Sequence, residues 1–200
     1  MPDDAVEKII VFWNQYGSEK VSGIIGLDSY IDGQTIGSRL PDALTCSTLF
    51  DLYNKHGVTG DKKLVYRTEL TRQYPYPIFS NEKYVGLAYK YFMLDLEYEM
   101  LLMNEVICCV EYMADGSSLN MFSQYRRNPK GFAFYRKELM KLPRASLLFK
   151  FKQSVHYVSS SFLSKNRRFM SETPCKLLTL VAIPLGAMLY CYVIRKTRIS

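Results

Sequence analysis

Hydrophobic positions recur from the first residues. In "DDAVEKIIVFW" (3–13), Val6, Ile9, Ile10 and Trp13 fall at i, i+3, i+4 and i+7, which predicts an amphipathic helix. Asp4 can cap it, with Glu7 completing a capping box. "VSGIIGLDSYIDGQTIG" (21–37) predicts two strands around a tight turn at Asp32-Gly33. Cys46, Leu49, Phe50 and Tyr53 share a helical face that Gly57 ends. "KLVYR" (63–67) predicts a short strand, and Pro75 and Pro77 then force an extended passage. Ser80 or Asn81 can cap a helix through Phe92, with Val85, Ala88, Tyr89 and Phe92 inward. "EMLLMNEVICCVEY" (99–112) holds apolar β-type runs interrupted by Asn104-Glu105, for which a strand-end turn is the simplest account. Alternating strands and helices predict an α/β domain with a largely buried sheet.

The pattern changes in the last third. Leu147, Phe151, Val155, Val158 and Phe162 form one apolar stripe, surrounded by Lys150, Lys152, Lys165, Arg167 and Arg168. "LLTLVAIPLGAMLYCYVI" (177–194) then runs without a charge and ends at Arg195, Lys196 and Arg198. A membrane span needs about 20 apolar residues, and Pro184 and Gly186 make a kinked or re-entrant helix equally consistent. A basic amphipathic helix followed by such a run predicts attachment to an anionic cytoplasmic leaflet. A core helix with a solvated basic neighbour is the alternative, although core helices are seldom this long without a polar face.

Charge sharpens that division. The net charge of +7 is unevenly spread: residues 1–141 carry 16 Lys/Arg against 18 Asp/Glu, and residues 142–200 carry 10 against Glu172 alone. The anion-meeting surface therefore belongs to 142–200, and the slight negative balance of 1–141 argues against nucleic acid there. Two segments are expected, 1–141 and 142–200. The five cysteines show no CxxC pair and are expected to be buried thiols in a reducing compartment, and two histidines make a His-based metal site improbable.

No phosphate-binding glycine loop occurs, and neither histidine stands in a nucleophile motif. What remains is an ordered set: "GDKKLVYRTEL" (60–70), "YPIFSNEKYV" (76–85), "LLMNEVICCVEYMADGSS" (101–118) and "YRRNPKGF" (125–132). In that order and spacing it resembles the C-terminal half of a family 2 glycosyltransferase of the GT-A (Rossmann-like) fold, of the bacterial kind that builds capsular and other surface polysaccharides. The tail segments "HYVSSSFL" and "LLTLVAIPLGAMLYCY" resemble the ending of the same subgroup.

The resemblance implies an incomplete GT-A domain. A phrase like "PDDAVEKI" follows the acidic DxD motif in such enzymes, so the donor-binding strands and DxD are expected to lie outside this chain. Asp3 and Asp4 are expected to cap a helix and not to bind metal. The intact enzyme is expected to use Mg²⁺ or Mn²⁺, a nucleotide sugar and a saccharide or lipid-linked acceptor. A separate N-terminal half is a possible partner.

The resemblance also assigns roles. "NEK" (81–83) takes the place of the family's ED-type motif, so Glu82 is the candidate general base that deprotonates the acceptor hydroxyl, with inversion at the anomeric carbon. Lys83 stands where many relatives have Asp. On its residues alone, Glu82 in a first helical turn is equally a favourable partner of the helix dipole, worth roughly 0.3–1 kcal/mol. Arg126 and Arg127 are candidates to stabilise a departing nucleoside diphosphate, or a solvated surface pair. Asp61 and Lys62 could orient substrate or simply form a turn.

The expected function is thus sugar transfer in surface polysaccharide synthesis at the cytoplasmic membrane face, with little activity from this chain alone. A non-enzymatic fragment that docks on the membrane or on a partner glycosyltransferase is the rival. A basic nucleic-acid binder would require residues 142–200 to bind RNA or DNA.

Overall fold

The computed structural model describes residues 2–113 and 120–198. Contacts within the chain divide it into two compact units. The first comprises residues up to Pro75 together with Lys90–Met113; the second comprises Tyr76–Tyr89 and the described residues from 120 onward. The expected boundary at 141/142 falls inside the second unit.

The first unit is built on a four-stranded mixed sheet. Its strands are β1 (Val21–Ser29), β2 (Cys46–Ser47), β3 (Lys62–Tyr66) and β4 (Glu99–Cys109), in the order β2-β4-β1-β3. β1 and β4 run parallel at the centre, while β2 and β3 are antiparallel edge strands. All nine residues of β1 are buried, as a central strand covered on both faces requires. Helix α1 (Ala5–Tyr16) covers one face, where Ala5, Ile9, Phe12 and Trp13 meet Ile24, Leu101, Met103 and Ile107. The other face packs Ile25, Leu27 and Met100 against Leu40, Val58 and the short helix α2 (Leu49–Asn54). Thr48 caps α2 through a bond from Asp51 N–H, and the buried Asp95 carboxylate accepts from the N–H groups of Leu49 and Phe50.

Several local expectations change here. On α1 the buried face uses Ala5 and Phe12, leaving Val6 and Ile10 more than half exposed. Asp4 occupies the cap position without a side-chain cap bond and instead pairs with Lys8 at 2.9 Å, so the capping box does not form. The turn at Asp32-Gly33 is present, with Gly33 in the left-handed region, but its return arm makes a single bridge, Ser29 to Thr35. Cys46 lies in β2 and not on α2.

Asn104-Glu105 does not end a strand. β4 continues through it, and the register moves from Ile25↔Leu102 to Leu27↔Val106, an irregularity that leaves extra residues on β4. Asn104 meets the cost of its position by bonding across to the chain at 40–42. Its Oδ1 accepts from Leu40 N–H, and its Nδ2 donates to the Leu40 carbonyl and to Asp42, each at 2.9 Å. The cysteines are free thiols, and Cys109 and Cys191 are exposed, unlike the buried thiols expected.

Helix α3 (Thr68–Thr71) follows β3, and α4 (Ala88–Leu94) replaces the longer helix expected from Ser80 or Asn81. Residues 80–87 are irregular, with Asn81 at a φ of 64°.

The second unit is helical: α5 (Met121–Arg127), α6 (Pro129–Lys141), α7 (Leu147–Leu163), α8 (Phe169–Glu172) and α9 (Lys176–Lys196). α7 packs against both α6 and α9, burying Ser154, Tyr157, Val158 and Ser161. Of the expected stripe, Val158 is buried, Phe151, Val155 and Phe162 are half-buried, and Leu147 is exposed, so the packed face is rotated toward Ser154, Tyr157 and Ser161. α9 continues as helix through Pro184. It is the one described helix long and apolar enough to cross a membrane, and could serve as an anchor.

Candidate functional site

In an open α/β sheet, ligands are held beyond the carboxyl ends of parallel strands. In this chain, β1 and β4 deliver Asp28, Ser29, Cys108 and Cys109 to that end, with Asp28 opposite Cys108 and Ser29 opposite Cys109. Asp28 is 5% exposed, and its Oδ1 has no hydrogen-bond partner among the described residues. Burial pushes its carboxyl above the ordinary aspartate value, while Lys63, Lys62 and a hydrogen bond with the Cys108 side chain oppose that rise. A buried carboxylate with an unpartnered oxygen is expensive unless something else bonds to it.

Asp61 stands beside this position on the turn before β3. Its Oδ2 accepts from the Tyr112 hydroxyl at 2.6 Å, and that bond drives the phenol up to about 12. The Tyr112 ring lies against Tyr30, with centroids 6.3 Å apart. Asp28, Asp61, Tyr30 and Tyr112 thus bring carboxylates and aromatic rings to one end of the sheet.

The platform beneath Asp61 is set by two glycines and one lysine. Gly37 and Gly60 have φ values of 69° and 75°, and a Cβ on either would strike the other loop's backbone. The buried Lys62 Nζ donates to the carbonyls of Ile36, Thr59, Gly60 and Asp61 at 2.7–3.4 Å. Its ammonium has three donors, and these carbonyls consume them. Burial lowers the Lys62 pKa, against the pull of Asp28 and Asp61. Tyr53 adds a bond from its hydroxyl to the Gly60 carbonyl at 2.8 Å. Lys62 therefore holds the loop together, and Asp61 is the exposed member of the pair.

The remaining sequence candidates belong to the second unit. Glu82 is not in the first turn of its own helix, as expected, but on the N-terminus of α6, 48 residues away. Its two carboxylate oxygens accept from Lys130 N–H at 2.9 Å and Gly131 N–H at 2.7 Å. The neighbouring N–H groups of Lys83 and Tyr84 both donate to Asn128 Oδ1. Gly131 is required because a Cβ there would lie 2.3 Å from the Tyr84 carbonyl oxygen. Glu82 also lines a cavity of about 270 Å³ with Tyr76, Phe79, Tyr84 and Leu87.

Arg126 lies in the last turn of α5, not on a loop, and its Nη1 donates to the carbonyl and hydroxyl of Thr197 at 3.0 and 2.9 Å. It satisfies the C-terminus of α9. Arg127 is exposed. Part of the "VEYMADGSS" motif falls outside the described residues.

Among the described residues, no group of three or more His, Cys, Asp or Glu is placed to hold a metal ion. Asp28, Tyr112 and Tyr30 were missed in the sequence. The available signal was "GLDSY", an acid closing an otherwise apolar strand. Compared with protein-family models, with curated proteins and with solved structures, the chain matches none.

Proposed function

We propose that this chain is the acceptor-side part of an inverting glycosyltransferase of the GT-A kind. It would move a sugar from a nucleotide sugar to a saccharide or lipid-linked acceptor at the cytoplasmic face of an anionic membrane. The observation that carries the reading is the carboxylate–tyrosine cluster beyond the carboxyl ends of β1 and β4. Carboxylates accept hydrogen bonds from sugar hydroxyls, and aromatic rings offer apolar faces to pyranose C–H groups. Asp61 is exposed and keeps further lone pairs beyond the one Tyr112 uses, while Asp28 lies buried beneath it.

Two further features support it. The outer edge of β3 pairs with no strand among the described residues, and an apolar groove of about 350 Å³ runs beside it, lined by Ile9, Ile10, Trp13, Val65 and Tyr66. A strand from a donor-binding segment has both an edge to extend and a face to cover. Glu82, with one N–H on each oxygen, retains lone pairs for an acceptor hydroxyl, so the base role assigned by resemblance remains chemically available.

Lys62, Glu82 and Arg126 all make structural bonds, which favours a second reading: a non-enzymatic membrane-docking or partner-binding fragment of a split glycosyltransferase. Saturation-transfer NMR with a panel of mono- and oligosaccharides separates the two. The first reading predicts saccharide signals that Asp61→Asn and Tyr112→Phe weaken. Absent signals, or signals indifferent to both substitutions, would refute saccharide binding by the cluster.

A further inference from the structure

Helix α9 has two opposite faces. Thr179, Ala182, Gly186 and Val193 are buried and, at about 100° per residue, lie on one side. Leu177, Leu180, Val181, Leu185, Met188 and Tyr192 lie on the other, each between 46% and 80% exposed. The inner face is fixed by backbone-close packing: a Cβ on Gly186 would sit 2.5 Å from Val158 Cβ and 3.0 Å from the Val155 carbonyl. α7, which receives it, carries Lys150 and Lys152 and buries Gln153, whose Oε1 accepts from Arg136 of α6 at 2.8 Å.

A perpendicular span would have to draw α7 and its charges into hydrocarbon, where each is strongly disfavoured, or strip α9 from α7. Lying flat requires neither. The charges agree with that placement. Lys176 begins the helix, and Arg195, Lys196 and Arg198 surround its end, all exposed. Residues 142–200 hold ten basic side chains and one acidic one. Lys196 Nζ also sits 4.5 Å over the Phe122 ring and 5.8 Å over Tyr192, grouping aromatic and cationic groups as an interfacial belt does.

We propose that α9 is an in-plane anchor, its outward stripe seated in the acyl–headgroup boundary of a bilayer rich in anionic phospholipid, with the chain wholly on one side. This rests on the membrane-association reading above and adds the face and the orientation. α9 enters to part of its width, and its terminal cations meet lipid phosphates.

The test uses the full chain in two formats. In flotation, it should rise with phosphatidylcholine vesicles containing phosphatidylglycerol, less so as salt increases, and hardly with phosphatidylcholine alone. Val181→Asp with Met188→Asp, on the outward face, should lower the bound fraction about tenfold with an unchanged circular dichroism spectrum. In sealed, cytoplasmic-side-out vesicles from expressing cells, a protease-cleavable tag after Ser200 should be removed from outside. A tag protected until detergent is added means that α9 spans, which overturns the in-plane proposal and leaves membrane association standing. Flotation with neither vesicle type removes membrane association and the proposal together. Equal flotation with both, or an unaffected double variant, refutes the anionic seat or the stripe.

Discussion

Glu82→Ala gives the sharpest separation between a residue that does chemistry and one that holds the chain. The wild-type carboxylate receives Lys130 N–H and Gly131 N–H at 2.9 and 2.7 Å, two of the donors that the first turn of α6 leaves without helical partners. A hydrogen bond to a charged group contributes about 1.5–3 kcal/mol net, and losing a helix cap costs about 0.5–2 kcal/mol. Glu82 is half-buried, so water recovers part of the loss, and about 1–3 kcal/mol is expected. For a chain of this size each kcal/mol moves the midpoint by about 2–4 °C, so Tm should fall by roughly 5 °C. Glu82→Gln keeps one acceptor and should lose about half as much. Thermal unfolding followed by circular dichroism reads both, and amide exchange should quicken at Lys130 and Gly131. An alanine variant as stable as the wild type, with protected amides at those positions, would refute the cap.

Three other outcomes follow from the geometry. Lys62→Met leaves the Ile36 carbonyl without its donor, takes one of two donors from the Thr59 carbonyl, and should cost about 1–3 kcal/mol in urea unfolding; an unchanged midpoint would contradict it. Gly186→Leu forces its side chain onto Val158 and should destabilise the second unit by about 1–3 kcal/mol, with Val158→Ala in the same chain recovering part of the loss. His156 is held neutral down to about 3, first by burial and then by Arg136 and Lys152. Its depressed pKa means that only the unfolded chain takes up this proton between the ordinary histidine value and about 3, so stability falls as pH drops through that window. His156→Gln should flatten the slope by up to one proton, about 1.4 kcal/mol per pH unit, and an unchanged slope would contradict the burial.

Much of the framework was readable because it depends on local pattern. The apolar runs of β1 and β4, the helix at 49–54 and the long last helix each follow from composition over a few turns or strand residues. What the sequence could not display is pairing over long separations. Nothing near Glu82 indicates that it caps a helix starting at Pro129, and nothing near Arg126 indicates Thr197. Asn104 reads as a break in an apolar run until the chain at 40–42 arrives to satisfy it. The same applies to α1, where the sheet contacts Ala5 and Phe12 and leaves Val6 and Ile10 outside. Asp28 carried a faint signal, a polar residue ending a buried strand, but its neighbours Asp61 and Tyr112 come from two other parts of the chain.

One assay addresses the proposed sugar transfer directly. The chain is joined to a DxD-bearing donor segment, incubated with Mg²⁺ or Mn²⁺ and labelled nucleotide sugars, and supplied with membranes carrying lipid-linked saccharides. Label should move into the lipid fraction with the joined protein and very little with this chain alone, and Asp61→Asn should abolish transfer at unchanged stability. No transfer from any donor by the joined protein, or full transfer by the chain alone, would contradict it.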